Sequence, residues 1–326
     1  MPGPGVSVVI PSHGRRLRLR WLLNALEEQC APPGGWEVIV VHDYDDTDTE
    51  AVLDRHPLTV AGTLRHIRIA PGTGSPARQR NLGWRAARSP LVLFTDDDCR
   101  PAADWVATMA AAARAHPGAI VQGRTRPDPY ESAVRSSPHA RTLDVKPPSP
   151  FAQTCNILYP RAVLEACGGF DEAFPGAAGE DLDLLERAKA LGTDYVGEER
   201  ALVHHAVVGH TLIDAVRMTR KWDPVVFLVK RHPHLRREHR YPLRIFWRAT
   251  HFRLALAGLG LALSLRLRAA FALLAAPYCF SAVTRRGRTR RAVATGLAEL
   301  PGQAVVDAAE MLVLARASAR ERTLLL

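Results

Sequence analysis

Along its first 125 residues the chain repeats one pattern: a short, largely apolar run, a polar loop, then a stretch in which apolar positions return every three or four residues. The runs VSVVI (6–10), EVIVV (37–41), LRHIRIA (64–70) and LVLFT (91–95) read as strands, being short and rich in β-branched residues. Between them, LRLRWLLNALEEQC (17–30), a segment after Asp48, and SPARQRNLGWRAARS (75–89) read as helices, the last with Pro76 in its first turn. Alternating strands and helices predict a parallel α/β sheet. Ligands of such sheets bind at the carboxyl ends of the strands. The polar loops 11–15, 43–46 and 96–98 all fall there and are predicted to line one crevice.

The third loop, in FTDDDC (94–99), sets three aspartates side by side. At about 4 Å two carboxylates repel by roughly 1 kcal/mol in water and roughly 4 at an effective dielectric near 20, so the cluster calls for a cation. In extended geometry Asp96 and Asp98 lie on one side and Asp97 on the other, a D-x-D arrangement. Mg²⁺ or Mn²⁺ takes oxygen ligands of this kind, commonly one or two carboxylates completed by substrate phosphates. A solvated turn that caps the next helix is the reading without chemistry. Cys99 is assigned to packing, since thiolate suits softer metals. GTGSPARQRN (72–81) fits neither a Walker loop nor a dinucleotide fingerprint. The proline-rich VKPPSP (145–150) reads as a flexible loop over an acceptor site.

Composition divides the chain in two. Residues 214–326 carry 21 Lys+Arg against 7 Asp+Glu, whereas residues 1–213 carry 22 against 26, giving +14 and −4 within a total of +10. The expected boundary lies at 212/213. The acidic part suits a metal-dependent enzyme and the basic part an anionic surface, phospholipid or nucleic acid. In the basic part, uncharged runs at 254–265 and 269–284 are separated by Arg266 and Arg268 and followed by RRGRTRR (285–291). A straight membrane span needs roughly 20 residues, so neither run crosses a bilayer alone. An interfacial or re-entrant helical hairpin flanked by arginines fits, as does a helical appendage with its own core. The arginines alternate with long aliphatic stretches and not with aromatic stacking platforms, which disfavours nucleic acid. Five cysteines without a C-x-x-C pair argue against a disulfide framework or zinc knuckle. The opening MPGPGVSVVIPSHG shows no secretory pattern, and the expected location is cytoplasmic, peripheral at the inner face of the cell membrane.

Six motifs in order resemble glycosyltransferase family 2, enzymes of the GT-A fold, over about residues 5–210. VSVVIPSHGR (6–15) resembles the family's opening strand and nucleotide loop, EVIVVHDYDDTDT (37–49) its second strand, and ARQRNLG (77–83) its A-R-N-x-G helix start. FTDDDC matches the D-x-D, CNILYPRAVLEACGGFDEAF (155–174) the acceptor-side segment, and GEDLDLLERAKALG (179–192) the E-D helix. The resemblance implies a GT-A nucleotide-binding sheet with flanking helices, the basic helical region being an appendage at a membrane or packed on the enzyme. It implies inverting transfer of a sugar from a nucleoside-diphosphate donor, UDP being commonest, to a hydroxyl acceptor in cell-envelope or glycan biosynthesis; the acceptor is lipid-linked if the tail binds membrane.

Carried over residue by residue, Pro11, His13, Arg15, Asp43, Arg80, Asp96 and Asp97 contact the donor nucleotide. Asp98 and Asp96 hold Mn²⁺ or Mg²⁺, with His205 of ALVHH (201–205) a further ligand, favoured over His204 because strand alternation separates the two. Asp181, beside Glu180, is the general base, while Asn156, Gly169 and Phe170 shape the acceptor pocket. Glu180, Asp181 and Asp183 also fit the acidic first turn of an ordinary helix. His42 and Tyr44 depart from the pattern, standing where an acidic residue and a glycine are usual, and leave the nucleobase open. A basic nucleic-acid-binding protein and a catalytically inactive membrane scaffold are the competing classes.

Overall fold

The computed structural model describes residues 5–44, 47–174, 176–264, 266 and 268–326. Asp45 and Asp46, counted above in the second loop, lie outside the described residues. The chain forms two compact units, Met1–Val208 and Gly209–Leu326.

The first unit is built on an eight-stranded sheet: β1 (Val6–Ser12), β2 (Trp36–His42), β3 (Leu64–Arg68), β4 (Leu91–Phe94), β5 (Cys99–Pro101), β6 (Ile120–Pro127), β7 (Ile157–Pro160) and β8 (Tyr195–His205). Their order is β3-β2-β1-β4-β7-β6-β8-β5. The first four are parallel, as expected, and β1 and β2 bury consecutive residues because both faces of the sheet are covered. On one face Val6, Val8, Ile10, Val38 and Val40 join Leu19, Leu22, Leu23 and Leu26 of the helix Arg16–Glu27. On the other, Gly83 of the helix Pro76–Ala86 lies so close to β1 that a Cβ would stand 2.3 Å from Val9. The chain leaves β1 for β2 on one side and returns to β4 on the other, so the crevice between the carboxyl ends of β1 and β4 is the topological switch point.

Beyond β4, past the strands from which the parallel sheet was inferred, the sheet becomes mixed. β7 runs antiparallel to both β4 and β6, β5 antiparallel to β8, and β6 parallel to β8 with a register shift between Gly123 and Arg124. No long crossover helix separates β6 from β7, and without one an antiparallel return is open to the chain. The 145–150 segment is pinned to this half of the sheet: Val145 exchanges both backbone hydrogen bonds with Thr125, and Val145 and Ser149 are buried. It is therefore packed structure and not the loose loop its prolines suggested.

The second unit is helical. Ala249–Leu263 and Arg268–Val283 form a hairpin in which Gly260 meets Leu274, and the helix Arg290–Glu321 packs on it, Gly296 against Val283. Its core is small, centred on Ala257, Ala275 and Tyr278. Glu310 accepts hydrogen bonds from Trp222 Nε1 (3.0 Å) and His251 Nε2 (3.2 Å) and pairs with Arg248, while Asp307 accepts from Tyr278 (2.9 Å) and Gln303 (2.7 Å). Among the described residues no helix is long and apolar enough to cross a membrane. The hairpin nevertheless exposes Leu259, Leu261, Leu263, Phe271, Leu273 and Phe280.

Candidate active site

The three aspartates sit in a tight turn closed by the Cys99 amide on the Asp96 carbonyl (3.1 Å), so strand alternation does not govern their directions. Asp96 turns to Arg80 Nη2 (2.9 Å). Asp97 and Asp98 instead share the Arg15 guanidinium, and Asp97 also accepts from Ser12 Oγ (2.8 Å) and the His13 amide (3.2 Å). The extended expectation, which set Asp97 apart from the other two, is corrected accordingly. Burial pushes the Asp97 carboxyl up to about 7 despite Arg15.

β5 registers Cys99 opposite His205, and the Ala206 amide donates to the Asp98 carbonyl, which brings the end of β8 against the turn. His205 Nδ1 lies 2.9 Å from the Ala206 carbonyl, an acceptor only, so in the neutral imidazole this nitrogen carries the proton and Nε2 the lone pair. Nε2 stands 3.6 Å from Asp98 Oδ1, a buried oxygen with no hydrogen-bond partner. Two lone pairs facing each other at that distance suit a divalent cation between them, the imidazole being oriented through its other nitrogen. Asp98 and His205 therefore fit a metal, whereas Asp96 is engaged with Arg80 through one oxygen.

Across the mouth of β1 and β2, His13 Nδ1 donates to Asp43 Oδ1 (2.6 Å). The other Asp43 oxygen is buried without a partner beside Gly74, where a Cβ would come within 2.9 Å of it. Pro11 is buried inside β1, opposite Val41. Tyr44, the departure from the family's glycine, is buried with its hydroxyl 2.5 Å from Ser12 Oγ. Because Ser12 donates to Asp97, Tyr44 donates to Ser12, making a three-membered chain that fixes the loop. His42 is fully buried, 3.1 Å from His66 Nδ1.

Arg80 joins the aspartate turn to the E-D helix, Glu180–Ala190. It is 4% exposed and reaches Asp96, Glu180 (3.1 Å) and Asp181 (3.4 Å), over the ring of Phe170. Burial alone would lower its pKa; Asp181, Asp96 and Glu180 together hold it above the ordinary value. Asp181 also accepts from the Thr154 amide (3.1 Å) and hydroxyl (3.0 Å). Thr154 had no sequence signal. Burial raises the Asp181 carboxyl and pushes Glu180 up to about 8.

The expected acceptor residues are structural. Asn156 donates to the Arg124 and Ala201 carbonyls (2.9 Å each) and accepts from Trp105 Nε1 (2.8 Å), so both amide protons and its carbonyl serve the packing of β6, β8 and the helix Trp105–Ala115. Gly169 has φ +79° and lies against Asn81 and Trp84, leaving no room for a Cβ. Phe170 is buried edge-on to Phe94, its backbone held by the Asn81 side chain.

Residues 7–168 match the model of "Glycosyl transferase family 2". The chain belongs to glycosyltransferase family 2. Among its relatives, validoxylamine A glucosyltransferase of Streptomyces hygroscopicus subsp. limoneus is 26% identical over 297 residues, covering 77% of this chain. The chain spans 62% of that relative's length. TarS of Staphylococcus aureus, a poly(ribitol-phosphate) β-N-acetylglucosaminyltransferase, is 28% identical over 92 residues, 28% of this chain and 16% of its own. A mannosyltransferase from Pyrobaculum calidifontis, solved with GDP-Man and Mn²⁺, superposes with TM-score 0.57 at 18% identity, covering 97% of this chain and 87% of that one. TarS 1–349 with UDP gives 0.51 at 16% identity, covering 98% and 92%. These likenesses establish the GT-A fold, a curled mixed sheet with flanking helices.

Proposed function

We propose that this protein is an inverting glycosyltransferase that moves a sugar from a nucleoside-diphosphate donor to a hydroxyl acceptor. The observation that carries the reading is the facing pair Asp98 Oδ1 and His205 Nε2, set 3.6 Å apart at the carboxyl ends of the strands with the Arg80–Asp181 cluster alongside. Bound there, Mn²⁺ or Mg²⁺ supplies neutralisation of the donor's diphosphate.

The chain's own groups account for the rest. The partnerless Asp43 oxygen accepts an N–H from the base edge, and His13, its ring mostly exposed, offers the base a flat face. Uracil and guanine both present such an N–H, and among the neighbours one structure holds UDP and another GDP-Man. Asp181 takes the proton of the acceptor hydroxyl as its oxygen bonds to the anomeric carbon, while the bond to the diphosphate oxygen breaks and its electron pair leaves with the nucleotide. One displacement of this kind inverts the anomeric centre. Burial raises the Asp181 pKa and so makes the carboxylate a better base. Arg80, buried among three carboxylates, positions Asp181 and Asp96; this reading replaces the expected contact with base or phosphate.

A membrane-facing role is the second reading, favoured by the exposed leucines and phenylalanines of the hairpin in a unit of strongly positive charge. It places the enzyme at an anionic lipid surface, where an amphiphilic or lipid-linked acceptor is presented. The deciding experiment for the reaction is a screen of UDP-, GDP- and dTDP-sugars with Mn²⁺ and Mg²⁺, read as binding and slow hydrolysis. Metal-dependent binding of one donor class supports the reading. Absence of any donor binding, with salt-sensitive binding to RNA or DNA instead, overturns it.

A further inference from the structure

The two sides of the Asp98 carboxylate differ. Oδ1 faces His205 Nε2 with no hydrogen-bond partner, while Oδ2 is held by Arg15 Nη1, which also reaches Asp97 Oδ1 at 3.0 Å. The guanidinium thus supplies the charge a divalent ion would supply, to the same carboxylate. Arg15 differs from Arg80 in its freedom. Its side chain is 52% exposed, it sits between the strand end and the helix Arg16–Glu27, and its two hydrogen-bond acceptors are side chains of the turn itself. Arg80 is enclosed by four groups from three segments.

We propose that Arg15 is an exchangeable latch on the metal site: it neutralises Asp97 and Asp98 while no metal is bound, and a divalent cation displaces it from Asp98. The freed guanidinium then faces solvent at the mouth of the crevice, available to the donor's diphosphate. The inference rests on Asp98 being a metal ligand. Binding of metal then includes the loss of at least one charge-assisted hydrogen bond, and the protein without donor holds its metal more weakly than its ligands allow. Donor and metal become cooperative, because the diphosphate gives Arg15 a new partner as the metal takes the old one.

The test uses Mn²⁺ alone on the full-length protein without donor, with free Mn²⁺ followed by electron paramagnetic resonance. Arg15→Gln is expected to bind Mn²⁺ at least about tenfold tighter than the wild type, the exchange value of one such bond. In the same variant, inorganic pyrophosphate at saturating Mg²⁺ is expected to bind more weakly, an opposite sign that general destabilisation of the loop does not produce. Side-chain ¹⁵N spectra of arginine, with the Arg15 resonance assigned by its loss in Arg15→Lys, should show that resonance moving as Mg²⁺ saturates. An unchanged or weaker Mn²⁺ affinity in Arg15→Gln, or an Arg15 resonance indifferent to Mg²⁺, overturns the latch. Asp98→Asn separates the two levels: Mn²⁺ affinity unchanged there sinks the metal site itself, whereas affinity lost there but unaltered in Arg15→Gln sinks only the latch.

Discussion

Replacing Arg80 by methionine keeps an unbranched side chain over Phe170 and removes the one positive charge among Asp96, Glu180 and Asp181. The structure allows the consequence to be sized. Glu180 is 2% exposed and Asp181 only a fifth exposed, so neither recovers much hydration when its partner is lost. Breaking a buried ion pair by removing one member costs about 3–5 kcal/mol where the remaining group stays ionised. Burial already holds Glu180 up at about 8 and raises Asp181, and without Arg80 both bind protons more readily. At pH 6, protonation relieves the cluster, and the penalty should shrink toward about 1–2 kcal/mol of lost hydrogen bonding and packing. Hydrogen exchange of the β1 and β4 amides reports the opening of this unit alone, corrected for intrinsic rates at each pH. The expected result is a destabilisation at pH 8.5 exceeding that at pH 6 by at least about 1.4 kcal/mol, the value of one proton over one pH unit. Equal destabilisation at both pH values would refute the view that Arg80 acts by charge.

Asp181→Asn should bind donor as the wild type does and lose transfer by at least about 10²-fold, measured by single-turnover kinetics once the donor is known. Wild-type turnover there moves the base elsewhere. Asn156→Leu should lower stability by about 2–4 kcal/mol, since it strands the Trp105 indole N–H and two carbonyls, and chemical denaturation at constant pH reads it; a stable variant with altered acceptor KM would restore the pocket role. Glu180 is raised above its unfolded value, so the native state holds the extra proton from the ordinary carboxyl range up to about 8, and stability present at pH 6 is lost as pH rises through that value. The thermal midpoint should accordingly be higher at pH 6.5 than at 8.5, and a reversed order contradicts the assignment. Full-length protein should float with anionic liposomes at low salt and partly at high salt, the salt-resistant part falling in Leu273→Glu; indifference to liposomes at low salt removes the membrane reading.

The parallel half of the sheet was legible because three of its strands, β1, β2 and β4, are dominated by consecutive apolar residues, a signal that survives without tertiary context. The antiparallel half was not. β5 and β7 have three and four residues, and their places follow from partners distant in sequence, Cys99 with His205 and Phe94 with Ile157. The aspartate turn announced itself by charge, but a turn bond at Asp96 sent its carboxylates in directions that strand alternation could not foresee. Thr154 was invisible since a lone threonine carries no spacing, and its value to Asp181 exists only once the loop before β7 meets the E-D helix. Asn156 misled for the converse reason. It lies in a motif that the family resemblance assigned to the acceptor, yet both polar atoms of its side chain are consumed by packing.

Five carboxylates, Asp96, Asp97, Asp98, Glu180 and Asp181, gather around two guanidiniums, and burial sorts what those guanidiniums can do. Arg80 is enclosed, so releasing it would leave a charge in a dry place with nothing to receive it, and it can only hold its carboxylates in position. Arg15 is half-exposed, so water receives it at small cost when another cation arrives. The carboxylates divide accordingly: Glu180 and Asp181 are tied to the enclosed arginine and held in one geometry, which the proposed role of Asp181 as base requires. Asp98 is tied to the exposed one and carries a partnerless oxygen toward His205, the arrangement that the proposed metal role and its exchange of partners require.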